Sequence, residues 1–203
     1  MSRGAAPARV LGALLALDAV GSAFAAPGGM SFSCTQKLTS SVEQRICKDE
    51  ALSALDRQMA EAYQAALART SGSEAETLAT AQRAWVKSRN DCWKASDVPA
   101  CIESAYRHRT SELQARYRLL APVGSARYLC PGPPPQEATA DYFATDPPTA
   151  MVTYAGATQL MRVAPSGSGA RYVGGNRQLW EAQGVGLITW GAGTVEMRCP
   201  KAP

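Results

Sequence analysis

The sequence is poor in the residues and motifs that catalytic and cofactor sites use. It has a single histidine, His108, in 203 residues, and no cysteine and histidine stand at zinc-binding spacing. No glycine-rich loop precedes a Lys-Ser or Lys-Thr pair, and there is no Gly-x-Ser-x-Gly motif. The neighbours of His108 are charged, which is typical of a solvated helix face. We therefore expect a protein that is not an enzyme and that has no cofactor and no metal site.

Long hydrophobic runs are also absent. The apolar run from Val10 to Val20 is too short to cross a bilayer, which takes about 20 residues. Two arginines precede it and Ala23-Phe24-Ala25 follows, so residues 1–25 have the form of a signal peptide cleaved after Ala25. The alternative is an apolar first helix of the mature fold. The residues before Cys34 lack the leucine-led pattern of a lipidated cysteine, so we expect an exported, periplasmic protein with no stable membrane anchor.

The chain lacks a strong surplus of charge of either sign. Its 21 Lys and Arg against 17 Asp and Glu give a formal net charge of +4, which is too mild to indicate a nucleic-acid partner. A hydrophobic fraction of 46% is typical of folded, globular proteins. No feature of the composition indicates an oligomeric state.

The six cysteines are the first positive signal. In an exported chain an even number of cysteines indicates disulfides rather than metal ligands. Six cysteines allow 15 pairings, but these six are clustered along the chain, and pairing neighbours in order is the simplest arrangement. The predicted pairs are Cys34 with Cys47, Cys92 with Cys101, and Cys130 with Cys199.

The first half of the chain has helical periodicity. Ser40 with Glu43 has the form of a capping box, which predicts a short helix that carries Cys47. Asp49 is placed to cap a second helix, and Ser71–Ser73 predicts the break before two further helices. Residues 30–120 are thus predicted to form an antiparallel helical domain held by disulfides near the helix ends.

Helical periodicity stops at residues 121–125, which we interpret as a linker, and most of the glycine and proline follows it. Residues 126–203 contain short segments of β-type composition, with the clearest alternation at Val195, Met197 and Cys199. Seven or eight short strands favour a small antiparallel barrel or sandwich. The predicted fold is therefore multidomain, an α domain followed by a small antiparallel β-barrel. The predicted strands are 126–130, 150–154, 159–163, 170–173, 178–181, 185–190 and 194–199.

The most unusual local feature is the run Ser166-Gly167-Ser168-Gly169-Ala170-Arg171-Tyr172 between two predicted strands. Small residues let a backbone approach another surface closely, hydroxyls donate hydrogen bonds, and a guanidinium can bind carboxylates. Such a segment could enter a narrow acidic cleft. The alternative is a flexible hairpin loop.

The second half resembles the periplasmic or membrane-bound inhibitors of c-type lysozyme, the MliC/PliC family. The resemblance rests on Tyr128-x-Cys130, the Ser166–Tyr172 run, Leu179-Trp180 and the closing Cys199. It implies a small barrel whose serine-glycine loop inserts into the lysozyme cleft, where a serine hydroxyl reaches the two catalytic carboxylates. Ser168 is the first choice for that serine and Ser166 the second. The other implied contacts are Gly167, Gly169, Arg171 and Tyr172, the last two more as loop support than as direct ligands.

The first half resembles the LprI-type domain of lysozyme-inhibitor-like proteins. This resemblance implies lysozyme inhibition for some relatives and marks no contact residue. We interpret Gln82, Trp85 and Arg89 as the inner side of a helix that faces Tyr106 and Arg109, rather than as a binding site. The matching residues are Cys34, Glu43, Ile46, Cys47, Leu55, Asp56, Tyr63, Gln82, Trp85, Arg89, Cys92, Cys101, Tyr106, Arg109 and Leu113.

One position departs from the inhibitor pattern. Where that family usually has Trp-x-Lys-Gly, this sequence reads Trp180-Glu181-Ala182-Gln183-Gly184, which puts Ala182 in place of the lysine. Losing a charge-assisted contact of about 1.5 to 3 kcal/mol weakens binding by about tenfold to a hundredfold, unless Arg171 or Arg177 reaches the same place.

The sequence is thus interpreted as an exported inhibitor that binds c-type lysozyme through the Ser166–Tyr172 loop. The alternative is an envelope-binding protein, or an immunity protein against a different peptidoglycan hydrolase. A peptidoglycan-modifying enzyme is disfavoured, because the sequence lacks a recognisable nucleophile and base.

Overall fold

The structure is a computed structural model that describes Met1 and residues 29–203. The predicted signal peptide, apart from Met1, lies outside the described residues. None of the helices in the described part of the chain is long and apolar enough to cross a membrane.

The first half of the described chain is helical, and its helix starts follow the predicted caps. The hydroxyl of Ser40 accepts a hydrogen bond from the Glu43 amide at 3.4 Å, and the Asp49 carboxylate accepts from two amides at the start of the second helix. The helices are α1 (Ser41–Lys48), α2 (Glu50–Leu67), α3 (Gly72–Asn90), a 3-10 helix (Asp91–Lys94) and α4 (Val98–Arg116).

Two local predictions differ from these helices. Helix α3 begins at Gly72, inside the segment Ser71–Ser73 that was predicted as a break, so the break lies slightly earlier in the chain. Only half of the predicted capping box forms: the Glu43 carboxylate is 3.0 Å from the Arg89 guanidinium instead of returning to the Ser40 amide. A tertiary ion pair has replaced the local contact.

A buried polar network crosses the helical domain. Asp56 is fully buried and accepts hydrogen bonds from the Tyr106 hydroxyl at 2.8 Å and from the amide and hydroxyl of Ser31 at 2.6 and 2.5 Å. Arg89, also buried, donates to the same Tyr106 hydroxyl at 2.7 Å. Burial raises the pKa of Tyr106 well above its ordinary value. Arg89 and Tyr106 thus form part of the domain interior, as the sequence interpretation expected.

The second half is one antiparallel sheet of eight strands in sequence order. An isolated bridge pairs Tyr128 with Lys201, which brings the end of the chain onto the first strand and nearly closes the sheet into a barrel. The strands are β1 (Gly124–Cys130), β2 (Gln136–Phe143), β3 (Thr149–Tyr154), β4 (Ala157–Ala164), β5 (Ala170–Gly174), β6 (Arg177–Ala182), β7 (Val185–Trp190) and β8 (Met197–Pro200).

Two features of the sheet were not predicted. Strand β2 was missed because its buried positions include Ala138 and Ala140, which give a weak hydrophobic signal. The last strand begins only at Met197, not at Thr194. Val195 lies before it and is 85% exposed, so the prediction that it alternates in one strand with Met197 and Cys199 was wrong.

The six cysteines pair in sequence order, as predicted: Cys34 with Cys47, Cys92 with Cys101, and Cys130 with Cys199. The third pair joins β1 to β8, and both of its cysteines are fully buried. Two disulfides therefore hold the helical domain, and the third reinforces the seam where the barrel closes.

The direction of the strands sorts the connecting segments between the two ends of the barrel. Because neighbouring strands are antiparallel, the β4–β5 and β6–β7 connections lie at one end with the C-terminal residues, and the β5–β6 turn lies at the other. We call the first of these the loop end.

Helix α4 packs on the outer face of the barrel. Ala115 of α4 forms a buried cluster with Phe143 and Leu160, and the Arg162 guanidinium donates to the carbonyl of His108 at 3.3 Å. Burial, and then the charge of Arg162, lower the pKa of His108. These contacts fix the helical domain against the outer side of the barrel.

Candidate functional site

The serine-glycine loop, residues 165–169, connects β4 to β5, and all five of its residues are exposed. The hydroxyl of Ser166 donates to the carbonyl of Gly169 at 3.0 Å. Within residues 29–203, the Ser168 hydroxyl makes no hydrogen bond. Of the two serines, Ser166 thus holds the loop together, whereas Ser168 presents a free hydroxyl to solvent.

Contacts from β6 hold this loop against the barrel. The indole of Trp180 donates to the carbonyl of Ser168 at 2.8 Å. Gly169 has φ of +66°, and a Cβ added there would overlap the carbonyl oxygen of Glu181. Only glycine allows this backbone conformation and this close approach together. The loop is therefore anchored at its base and does not have the free backbone of a flexible hairpin.

Arg171 and Tyr172, in the strand that follows the loop, point to opposite sides of the sheet. Arg171 faces outward, and its Nε donates to Oε1 of Gln178 at 2.7 Å. Tyr172 faces the barrel interior, with its ring centroid 5.4 Å from that of Tyr142. Burial, and then the charge of Glu181, raise the pKa of Tyr172. Tyr172 thus contributes packing beneath the loop, and Arg171 is held along the barrel wall.

Arg177 is not brought to the serine-glycine loop. It begins β6, beside the β5–β6 turn, where its guanidinium lies 4.6 Å from the Trp190 ring centroid and donates to Gln159 at 3.1 Å. Ala182 ends the same strand at the loop end. The two lie five positions apart along the extended strand, roughly 17 Å at about 3.3 Å per position. The strand therefore keeps Arg177 and Ala182 at opposite ends of the barrel.

A second group of polar side chains lies at the loop end and was missed by the sequence reasoning. The hydroxyl of Tyr128 donates to the Glu181 carboxylate and is 3.1 Å from the hydroxyl of Tyr142. Lys201 Nζ lies 4.0 Å from Glu181 Oε1. No spacing in the sequence links Lys201 to Glu181, because only the pairing of β8 with β7 brings the end of the chain beside the β6–β7 turn.

Burial favours the neutral form of the two tyrosines in this group. Burial raises the pKa of both Tyr128 and Tyr142 well above the ordinary value for tyrosine. In the described part of the chain, no group of three or more His, Cys, Asp or Glu side chains is placed to hold a metal ion. The arrangement offers hydrogen bonds and one ammonium group.

Comparison with known proteins divides the chain in the same place as the fold. A family model described as "Lysozyme inhibitor LprI" matches residues 34–113, and one described as "Membrane-bound lysozyme-inhibitor of c-type lysozyme" matches residues 128–197. The protein "Lipoprotein LprI" of Mycobacterium bovis is 33% identical over 156 residues, 77% of each chain. The same holds for "Lipoprotein LprI" of two Mycobacterium tuberculosis strains. The chain belongs to the LprI family.

The two matches lie on the two halves of this LprI-family chain. The first contains the buried network of Asp56, Arg89 and Tyr106, and the second contains the serine-glycine loop and Trp180. No solved structure matches the chain.

Proposed function

We propose that this protein is an exported, non-catalytic inhibitor of c-type lysozyme whose serine-glycine loop enters the active-site cleft. The observation that carries the proposal is the anchored loop, which presents the free hydroxyl of Ser168 between two glycines at one end of the barrel. The descriptions of both matching family models, each a lysozyme inhibitor, support the same function.

The chemistry of the target suits a hydroxyl. A retaining glycosidase keeps one carboxyl group protonated and a second one ionised, about 5 Å apart. A serine hydroxyl can donate to the ionised group and accept from the protonated one. Ser168 is available for this role, because its hydroxyl is free, whereas the hydroxyl of Ser166 is used within the loop. The serine thus occupies the cleft without offering a bond to cleave.

The anchoring of the loop favours tight binding. A loop that is ordered before binding loses less conformational entropy when it enters a cleft. Here the Trp180 indole and the Glu181 carbonyl fix the loop backbone from below. Gly167 adds no side chain at the tip, where a Cβ would meet nothing within 4 Å. The loop is therefore narrow as well as ordered.

The three disulfides support a location outside the cytoplasm, since such bonds persist in oxidising compartments. Together with the signal-like residues 1–25, they favour the periplasm. An inhibitor placed there would lie in the same compartment as the cell wall that lysozyme attacks.

The test is inhibition of purified c-type lysozyme on a cell-wall substrate by the mature protein and by two variants. Ser168→Ala removes a hydrogen bond to a charged group, about 1.5 to 3 kcal/mol, and should raise the inhibition constant about tenfold to a hundredfold. Thr158→Ala removes an exposed hydroxyl at the opposite end of the barrel and should leave inhibition unchanged. A mature protein that fails to slow lysozyme at micromolar excess would refute the proposal. Equal inhibition by Ser168→Ala and wild type would refute the role of the loop.

A second candidate is an envelope-binding protein, or an immunity protein against another peptidoglycan hydrolase. The observation that favours it is the uncharged Ala182 at the loop end, together with the placement of Arg177 at the other end. A panel of purified muramidases distinguishes the two candidates. Inhibition of another hydrolase, with none of c-type lysozyme, would select the second.

A further inference from the structure

Lys201 is a basic side chain that the pairing of β8 with β7 places at the loop end. Its amide donates to the carbonyl of Gly184 at 3.0 Å, and its backbone is bridged to Tyr128. Cys199 points into the barrel and side chains alternate along an extended chain, so Lys201 also points inward, over the barrel mouth. Its ammonium group lies there beside the carboxylate of Glu181.

The ammonium group and the serine-glycine loop share one residue as a neighbour. Glu181 faces Lys201 with its carboxylate, and its carbonyl oxygen is the surface on which Gly169 packs. Two arginines were predicted for binding. Arg171 is held outward by Gln178, and Arg177 lies at the end of the barrel opposite the loop end. Lys201 thus differs from both in facing the end of the barrel that presents the loop.

Lys201 is also free to take a further partner. Its side chain is 48% exposed, and its 4.0 Å separation from Glu181 is the upper limit for an ion pair. Glu181 accepts a hydrogen bond from Tyr128 as well, so its charge is shared between two donors. An exposed, loosely paired ammonium group can bind a second carboxylate with little rearrangement.

We propose that Lys201 is a second contact of the binding surface and binds a carboxylate of the target enzyme when the loop enters the cleft. This inference rests on the proposed function. Glu181 acts in the opposite direction, because its negative charge partly compensates Lys201 and repels an incoming carboxylate. Lys201 therefore strengthens binding of the target, and Glu181 weakens it.

The test compares four variants of the full mature chain for inhibition of c-type lysozyme. Lys201→Gln should raise the inhibition constant about tenfold, and Lys201→Arg should retain most of the inhibition. Glu181→Gln keeps an oxygen that can accept from Tyr128, removes the negative charge, and should lower the constant. Arg198→Gln is the matched control, since it removes the same charge from β8 at an exposed, outward position.

Both Lys201→Gln and Arg198→Gln remove one positive charge, so a loss of general electrostatic attraction would raise the inhibition constant equally in the two variants. A specific contact of Lys201 predicts a larger rise for Lys201→Gln. The difference should shrink as ionic strength rises from about 0.01 to 1 M, where screening lengths fall from about 30 to 3 Å. Equal effects of the two variants, or a weaker inhibitor in Glu181→Gln, would overturn the inference. If Ser168→Ala weakens inhibition and Lys201→Gln does not, this inference fails and the proposed function stands. A wild type that does not bind lysozyme overturns both.

Discussion

Replacing Gly169 with alanine should distort the serine-glycine loop, whereas the same change at Gly167 should not. Both glycines lie in the exposed loop and flank Ser168, so the two variants add the same methyl group one residue to either side. They differ in surroundings: at Gly169 the new Cβ meets the Glu181 carbonyl, and at Gly167 it meets nothing within 4 Å. Because both variants make the same change in composition, any difference between them reports the close packing at Gly169.

The expected cost at Gly169 has two parts. A residue with a side chain at φ of +66° costs about 1 to 2 kcal/mol. Relieving the overlap with the Glu181 carbonyl requires a backbone shift that costs about 1 to 3 kcal/mol. The loop escapes part of this strain by leaving Trp180, which breaks the hydrogen bond from its indole to Ser168. We therefore expect a loss of about 2 to 5 kcal/mol in the free energy of unfolding, or a displaced loop with a smaller loss.

Urea unfolding and lysozyme inhibition measure the two outcomes. Gly169→Ala should unfold at lower urea concentration, inhibit more weakly, or both. Gly167→Ala should match the wild type in stability or exceed it by about 0.4 to 1 kcal/mol, because alanine restricts the unfolded chain. If Gly169→Ala is as stable and as inhibitory as Gly167→Ala, the close packing of the loop on Glu181 is refuted.

Two further predictions concern stability. Asp56→Asn removes a buried charge next to Arg89, so the free energy of unfolding should fall by about 3 to 5 kcal/mol in urea titrations, and a loss below about 1 kcal/mol would contradict the network. A hydrogen bond from Ser125 holds the pKa of Asp141 below its ordinary value, so its contribution to stability is present above about pH 4 and is lost as the pH falls through the lowered pKa. The melting temperature of Asp141→Asn should accordingly lie below that of the wild type at pH 7, with a gap that narrows below about pH 4; a constant gap would contradict this pKa.

The local parts of the fold were predictable because their signals are local. Ser40 and Asp49 cap helices through amides two or three residues away, and the cysteine pairs follow sequence order. Strand β2 was missed because its inner positions are alanines, which give a weak hydrophobic signal in the sequence. These alanines are buried only because larger side chains from other strands pack around them. Val195 was misplaced because alternation alone does not show where a strand begins.

The candidate site was predicted only in part, because only its contiguous segment has a local signal in the sequence. The serine-glycine loop is a contiguous run with a distinct composition, so the sequence alone located it. The preference between Ser168 and Ser166 gains support from a hydrogen bond within the loop, which no composition reveals. Arg177 was considered as a replacement for the missing lysine at Ala182, and the two residues share a strand. Because each residue of an extended chain adds about 3.3 Å, the strand places Arg177 and Ala182 at opposite ends of the barrel.

The sequence by itself determined the division into a helical half and a strand half, the disulfide pairs and the position of the loop. All of these depend on periodicity, composition or order along the chain. The tertiary structure alone decided which groups meet: Asp56 with Tyr106, Trp180 with the Ser168 carbonyl, and Lys201 with Glu181. The physical reason is that contacts between strands or across a helix interface depend on how separate segments pack, and they leave no mark in local spacing.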